Sequence, residues 1–267
     1  MSRAYARYII EDFWPNLLFV SLFALLIAFA LPYTFGTFEM AKMMRGMIES
    51  MPTPMRAMMN NDIEGFLSVQ GSVGFSLKHP ITISVLTYMA IILPVRYIGR
   101  AIEQGKMEIF LTLPLKRSSV FGTFTMVSVF FFAFAALLTA FGAFLGIKLL
   151  NTEAFPYLLL WKDMALLLVF FMFVFSISLL GSVWFKDPGK SVLWTVVFIA
   201  FFYLLDILAR YKPWLAKTDK INLFKYYETQ EIMNGKGHWG LDMMVLGVGA
   251  LLLITLSQII FQRRDIP

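Results

Sequence analysis

Cysteine is absent from the 267 residues, and histidine occurs only twice. Disulfides and thiolate metal sites are thereby excluded. Charge is scarce as well. Lys, Arg, Asp and Glu together make up 15% of the chain, where a soluble domain carries about 25%. A chain this poor in charge needs lipid as its solvent, and its backbone must then satisfy its own hydrogen bonds inside helices. The net charge of +6 fits loops facing anionic lipid better than it fits nucleic-acid binding. Neither an H-E-x-x-H nor a G-x-S-x-G pattern occurs, so no known constellation for metal-assisted or serine-based hydrolysis is present. The nearest approach to a phosphate cradle is Gly189-Lys190-Ser191. A P-loop would need glycine at position 184, which is Trp184. Pro188-Gly189 reads instead as a turn between two membrane runs. We therefore expect no enzyme, no resident cofactor and no ATP hydrolysis by this chain alone.

What the chain has is hydrophobic length. Apolar residues make up 59%, with a mean hydropathy of +0.72. Runs at about 13–34, 75–95, 120–150, 164–184, 191–208 and 243–261 each approach or exceed the roughly 20 residues that cross a hydrocarbon core. The expected fold is an all-α polytopic membrane protein with six transmembrane helices, forming a single membrane domain over residues 1–267. The first run lacks a small-residue cleavage site, and Trp14 and Pro15 stand at its entry as an interfacial anchor, so it reads as a span and not as a signal peptide. Residues 3–13 mix aromatic, apolar and charged positions and read as an interfacial helix ahead of that span. The segment from Arg210 to Gly240, with Pro213-Trp214 and the run from Lys220 to Tyr227, has the aromatic and basic mixture of a second interfacial element before the last span.

With the N-terminus inside, the short inner segments hold Arg3, Arg7, Arg96, Arg100, Lys106, Lys116, Arg117, Lys186, Lys190, Arg263 and Arg264, which is 11 of the 23 basic residues. Their density near helix ends favours cytoplasmic termini. The spans between carry almost no central charge, which argues against coupling to an ion gradient. Asp206 lies near the outer end of the fifth run, with Arg210 four residues on, so a helix-end ion pair is expected there.

Between the second and third runs lies a handle. In residues 102–113, Ile102, Met107, Ile109, Phe110 and Leu113 supply an apolar side, and Glu103, Gln104, Lys106 and Glu108 a polar one. Pro114 stops the helix, since it lacks an N–H and clashes with the preceding turn. Lys116 and Arg117 hold the loop on the cytoplasmic face, and Ser118 or Ser119 is placed to cap the third span. A loop that only connects could be far shorter, so the segment reads as a docking element for a soluble partner, in which Ile109, Phe110 and Leu113 fill a groove and Gly105 permits close approach.

The handle also resembles a known family. Glu103-x-Gly105-Lys-Met-Glu108-Ile-Phe-Leu-Thr-Leu113-Pro114-Leu-Lys-Arg117 is similar to the segment of type-2 ABC transporter permeases that reads approximately E-x-G-T-L-E-L-L-L-x-x-P-V-S-R. The match rests on Glu103, Gly105, Glu108, Leu113, Pro114 and Arg117. Lys106, Met107, Leu115 and Lys116 depart from it. Upstream, the stretch from Ile48 to Met58 and Glu64-Gly65-Phe66-Leu67 look like the family's first outer segment. The resemblance implies a permease subunit in a prokaryotic cytoplasmic membrane, an exporter paired with a second permease subunit and coupled through this helix to a separate ATPase that holds the ATP and Mg. It also implies that the outer segment before the last span dips into the membrane and returns. The reading from another class is a membrane scaffold, or a channel or carrier that works without ATP.

Two further patterns stand out. Met40, Met43, Met44, Met47, Met51, Met55, Met58 and Met59 recur at helical spacing after the first run. Thioethers select Cu(I), with Met43, Met44, Met47 and Met51 as the ligands to test, although an apolar packing face built from Met explains the same spacing. Gly142-x-x-x-Gly146 permits close helix contact.

Overall fold

The computed structural model describes residues 2–52, 68–112, 116–150, 155–211, 213–218 and 221–264. These residues are helical, with no strand among them. Six helices are long and apolar enough to cross a membrane, the mark of a multi-pass membrane protein. They are α1 (Arg3–Phe35), the composite helix Pro80–Glu103, α7 (Arg117–Leu149), α8 (Tyr157–Trp184), α9 (Pro188–Tyr211) and α11 (Trp239–Arg263). The composite helix consists of α4 (Pro80–Pro94), a π-helical turn (Val95–Gly99) and α5 (Arg100–Glu103). The remaining helices are α2 (Phe38–Ser50), α3 (Val69–Lys78), α6 (Lys106–Thr112) and α10 (Thr229–Met233), with 3-10 turns at Pro213–Thr218 and Leu223–Tyr226.

Three boundaries differ from expectation. Residues 3–13 are not a separate interfacial helix but the first turns of α1. A buried stripe of Tyr5, Ile9, Phe13, Leu17, Val20, Ala24 and Ala28 runs unbroken along one face, and packing at this spacing carries the helix through Pro15. The second span starts at Pro80 and not near 75. His79 is extended (φ −62°, ψ 137°), as the residue before proline tends to be, and this separates α3 from α4. The fourth span begins at Tyr157, because Lys162-Asp163 lies inside the helix and does not precede it.

The core is aromatic. Phe13 stacks on Phe131 with ring centroids 5.4 Å apart, Phe124 and Phe132 both meet Phe175, and Phe121 meets Phe261. α8 is the central helix and α9 the most peripheral. Lipid is as apolar as these side chains, so close backbone approach supplies much of the hold between helices. Gly142 and Gly146 supply it here. A methyl group on Gly146 would lie 2.7 Å from the Phe29 carbonyl oxygen, and one on Gly142 would meet the carbonyl of Leu25. The small-residue pair thus joins α7 to α1 within one chain.

Ser2 and Arg264 both lie against the start of α7, at one end of the bundle, which two arginines fasten. Arg117 donates to the carbonyl oxygens of Gln262 (3.4 Å) and Arg264 (2.6 Å). Arg264 donates to those of Val183 (2.6 Å) and Phe185 (3.2 Å). The last carbonyls of a helix have no partner within it and carry partial negative charge, so cations there are favourable. The starts of α7 and the ends of α11 and α8 are linked in this way. Partial burial lowers the pKa of Arg264 from its ordinary value.

Gly142→Val should destabilise the protein by about 1–3 kcal/mol, the cost of overpacking, because the Leu25 backbone cannot yield as a side chain can. Gly122→Ala in the same helix meets nothing within 4 Å and should be neutral or slightly stabilising. Thermal unfolding of both variants in detergent checks the contrast.

Candidate functional site

The handle is two short helices and not one. After α5, Gln104 and Gly105 form a turn in which the Gly105 N–H donates to the Ile102 carbonyl (3.1 Å) and Gly105 adopts φ +68°. α6 then begins at Lys106. Gly105 is required by the left-handed turn, and among the described residues nothing lies within 4 Å of a methyl group built on it.

The turn decides which side chains α6 hides. Met107 is fully buried and Ile102 nearly so. Phe110, expected to help fill the docking groove, packs against α1, with ring centroids 4.9 Å from Tyr5 and 5.6 Å from Tyr8. Ile109 points away, with 68% of its surface exposed. Glu103, Gln104, Lys106 and Glu108 are exposed too. Leu113 and Pro114 lie outside the described residues. Arg117, matched to the same pattern, binds the end of α11. The cap expected from Ser118 or Ser119 falls to Lys116, whose carbonyl accepts from the N–H groups of Ser119 and Val120, without a side-chain bond. Helix α7 starts early enough to take both serines into its first turn.

Beneath the handle, a polar network joins α1 to the second span. The Asp12 carboxylate accepts from Arg96 (2.9 Å) and from the Tyr97 hydroxyl (2.6 Å), and the Tyr5 hydroxyl donates to the Tyr97 carbonyl (3.2 Å). Charge-assisted bonds of this length are the strong ones. Arg96 and Tyr97 stand in the π-helical turn, a local irregularity common at functional positions. The handle, the second span and the start of α1 thus form one connected body.

At the opposite end, Asp206 pairs with Lys78 of α3 (3.2 Å), a partner from another helix; the side chain of the expected partner, Arg210, lies outside the described residues. The Lys78 ammonium also meets Glu228 (3.2 Å) and donates to the Phe224 carbonyl (3.2 Å), so acceptors are present for all three of its N–H groups. The same segment is held by the Tyr227 hydroxyl on the Leu77 carbonyl (3.2 Å), by Thr229 on the Gly74 carbonyl (2.6 Å) and by Tyr227 stacked on Phe170 (4.2 Å). Residues 223–233 are therefore built into the bundle end. Asp163, in the second turn of α8, went unnoticed in the sequence. It is completely buried, and neither carboxylate oxygen has a hydrogen-bond partner among the described residues. Burial of the Tyr227 phenol, and then the neighbouring Asp163 carboxyl, push the phenol's pKa above the ordinary value.

His79 caps α4, its Nδ1 accepting from the Ile81 N–H (3.3 Å). Gly189 donates its N–H to Asp187 (2.7 Å), a helix cap and not a phosphate cradle. Of the Met residues, Met43 and Met47 lie one turn apart on the exposed side of α2, and Met51 follows its end half-buried; the side chain of Met44 lies outside the described residues. Between α4 and α9 runs an apolar groove of about 530 Å³, lined by residues that include Ile83, Thr87, Ile91, Val196, Ile199 and Tyr203. The Thr87 hydroxyl there is buried without a hydrogen-bond partner among the described residues.

Compared with protein-family models, curated proteins and solved structures, the chain matches none of them.

Two substitutions separate turn from anchor. Gly105→Ala should cost about 1–2 kcal/mol, the penalty for a left-handed L-residue, and Gly105→Asn less. Faster proteolysis within residues 100–112 reports the change. Lys78→Met removes the cation shared by two buried carboxylates and should cost about 3–5 kcal/mol, read by thermal unfolding.

Proposed function

We propose that the chain is the membrane-spanning permease subunit of an ATP-binding-cassette transporter, an exporter, whose separate ATPase subunit grips the handle. One observation carries this reading. Ile109 is held out from a helix whose neighbouring Met107 is wholly buried. An exposed apolar side chain on a fixed mount, flanked by Lys106 and Glu108, is what a soluble partner needs to transmit force. The resemblance of residues 103–117 to type-2 permeases points to the same partner.

The mechanism is mechanical. ATP binding draws the ATPase subunits together and displaces α6. Phe110 on Tyr5 and Tyr8 passes the displacement to α1, and the chain from Gly105 through the π-helical turn passes it to the second span. The two cannot move independently, because Asp12 ties Arg96 and Tyr97 to α1. The ATP-bound and ATP-free ATPase must differ in affinity for the two positions of the handle, or no work is transmitted. The groove between α4 and α9 adjoins the moving span and serves as one wall of the cargo path. Its apolar lining suits an amphipathic or lipid-like cargo. A second permease subunit, identical or related, supplies the facing wall.

Asp163 favours a second reading. A carboxylate buried inside a span marks ion pathways and proton relays, and a carrier would need no ATPase.

The deciding experiment is recovery of the tagged chain from its native membrane in mild detergent. The permease reading expects an ATPase subunit, identified by its Walker A peptide, in roughly equal amount. Ile109→Glu should abolish that association and ATP-driven transport while leaving thermal stability unchanged, because the side chain is exposed. Recovery of the chain alone in several detergents, without ATPase activity, would sink the permease reading in favour of the carrier.

A further inference from the structure

A cavity of about 310 Å³ opens between the first turns of α1, the π-helical end of the second span and the handle. Its lining includes three cations, Arg96, Arg100 and Lys106, against one carboxylate, Asp12. Arg96 is matched to Asp12. Arg100 and Lys106 are exposed, and neither has a carboxylate partner among the described residues. Two cations without an ion pair among the described residues therefore face one cavity, whose remaining lining is Tyr5, Tyr8, Tyr97 and Phe110 with Ala101 and Gln104.

The depth of the cavity follows from the length of α1. Its 33 residues span about 50 Å at 1.5 Å per residue, roughly 20 Å more than a hydrocarbon core. From Phe13 to Phe35 the helix has no charged residue, whereas Arg3, Arg7, Glu11 and Asp12 crowd its start. The uncharged part lies in hydrocarbon, and the surplus is the N-terminal part. Tyr5, Tyr8 and Asp12 line the cavity from that surplus, at headgroup level. Trp14, half-exposed just below, sits where interfacial aromatics collect.

We propose that this cavity is a binding site for the phosphate headgroup of an anionic phospholipid from the leaflet at the terminal end of the bundle. Arg100 and Lys106 hold the phosphate, Tyr8 and Phe110 flank the glycerol, and the acyl chains leave along the lipid-facing side of α1. The proposal is independent of the permease reading. A lipid here would touch the handle, the second span and α1 together.

The test uses the full chain, reconstituted in nanodiscs of phosphatidylcholine with or without phosphatidylglycerol and then examined by native mass spectrometry. One phosphatidylglycerol per chain should survive detergent transfer, in preference to phosphatidylcholine. Arg100→Gln/Lys106→Gln should weaken its retention about tenfold or more. Lys186→Gln/Lys190→Gln removes the same charge from the same end outside the cavity and should leave retention unchanged. Equal loss in both pairs would mean a diffuse surface potential and would overturn the proposal. So would displacement of the lipid by inorganic phosphate at a concentration matching that of the lipid, which would mark a soluble-anion site. If the double variant does not remain monodisperse, Lys106→Gln alone gives the same reading, since its exposed side chain carries no packing.

Discussion

A helix in hydrocarbon gains little by hiding one apolar side chain behind another, because the solvent is apolar too. What holds such helices together is how closely their backbones can approach, and in this protein that constraint is met where α7 lies on α1. Gly142 and Gly146 bring the two backbones within van der Waals range of each other. The longest helix contact in the bundle is built on this approach. It fixes α1 along its whole length, including the charged turns that extend beyond the hydrocarbon. The position of the handle depends on those turns, since Phe110 rests on Tyr5 and Tyr8.

The two ends of the bundle solve the problem of polar groups differently. At the terminal end, single arginines close helix C-termini, which are partial negative charges in need of donors. At the other end, one lysine is shared among acceptors from α9 and from the segment before α11. The first arrangement leaves its side chains near solvent. The second is closed in and binds a chain segment into the bundle.

Much of this was legible in the sequence, for physical reasons. Six apolar runs give six spanning helices because lipid leaves the backbone few alternatives. Pro80 marks a break that the hydropathy alone hides. What could not be read was every property that depends on a neighbour. Gly105 was legible as a glycine but not as a left-handed one, and so the single amphipathic helix became two. Phe110 and Ile109 are adjacent apolar residues, and only the direction of the turn decides which is buried. Asp206 has Arg210 one turn away in sequence, yet Lys78 reaches it from a helix over a hundred positions earlier. Asp163, next to Lys162 at the margin of an apolar run, resembles a solvated helix start until α8 is seen to begin six residues earlier.

The π-helical turn at Val95–Gly99 has one more consequence. A π turn holds an extra residue compared with an α-helix of the same height. If that residue were taken up, everything beyond it would rotate by about 100° and rise about 1.5 Å. Arg100, Gly105 and the whole of α6 lie beyond it, and Pro80 to Pro94 lie before it. Such a change would turn and lift the handle together, relative to the part of the second span that lies before the π turn.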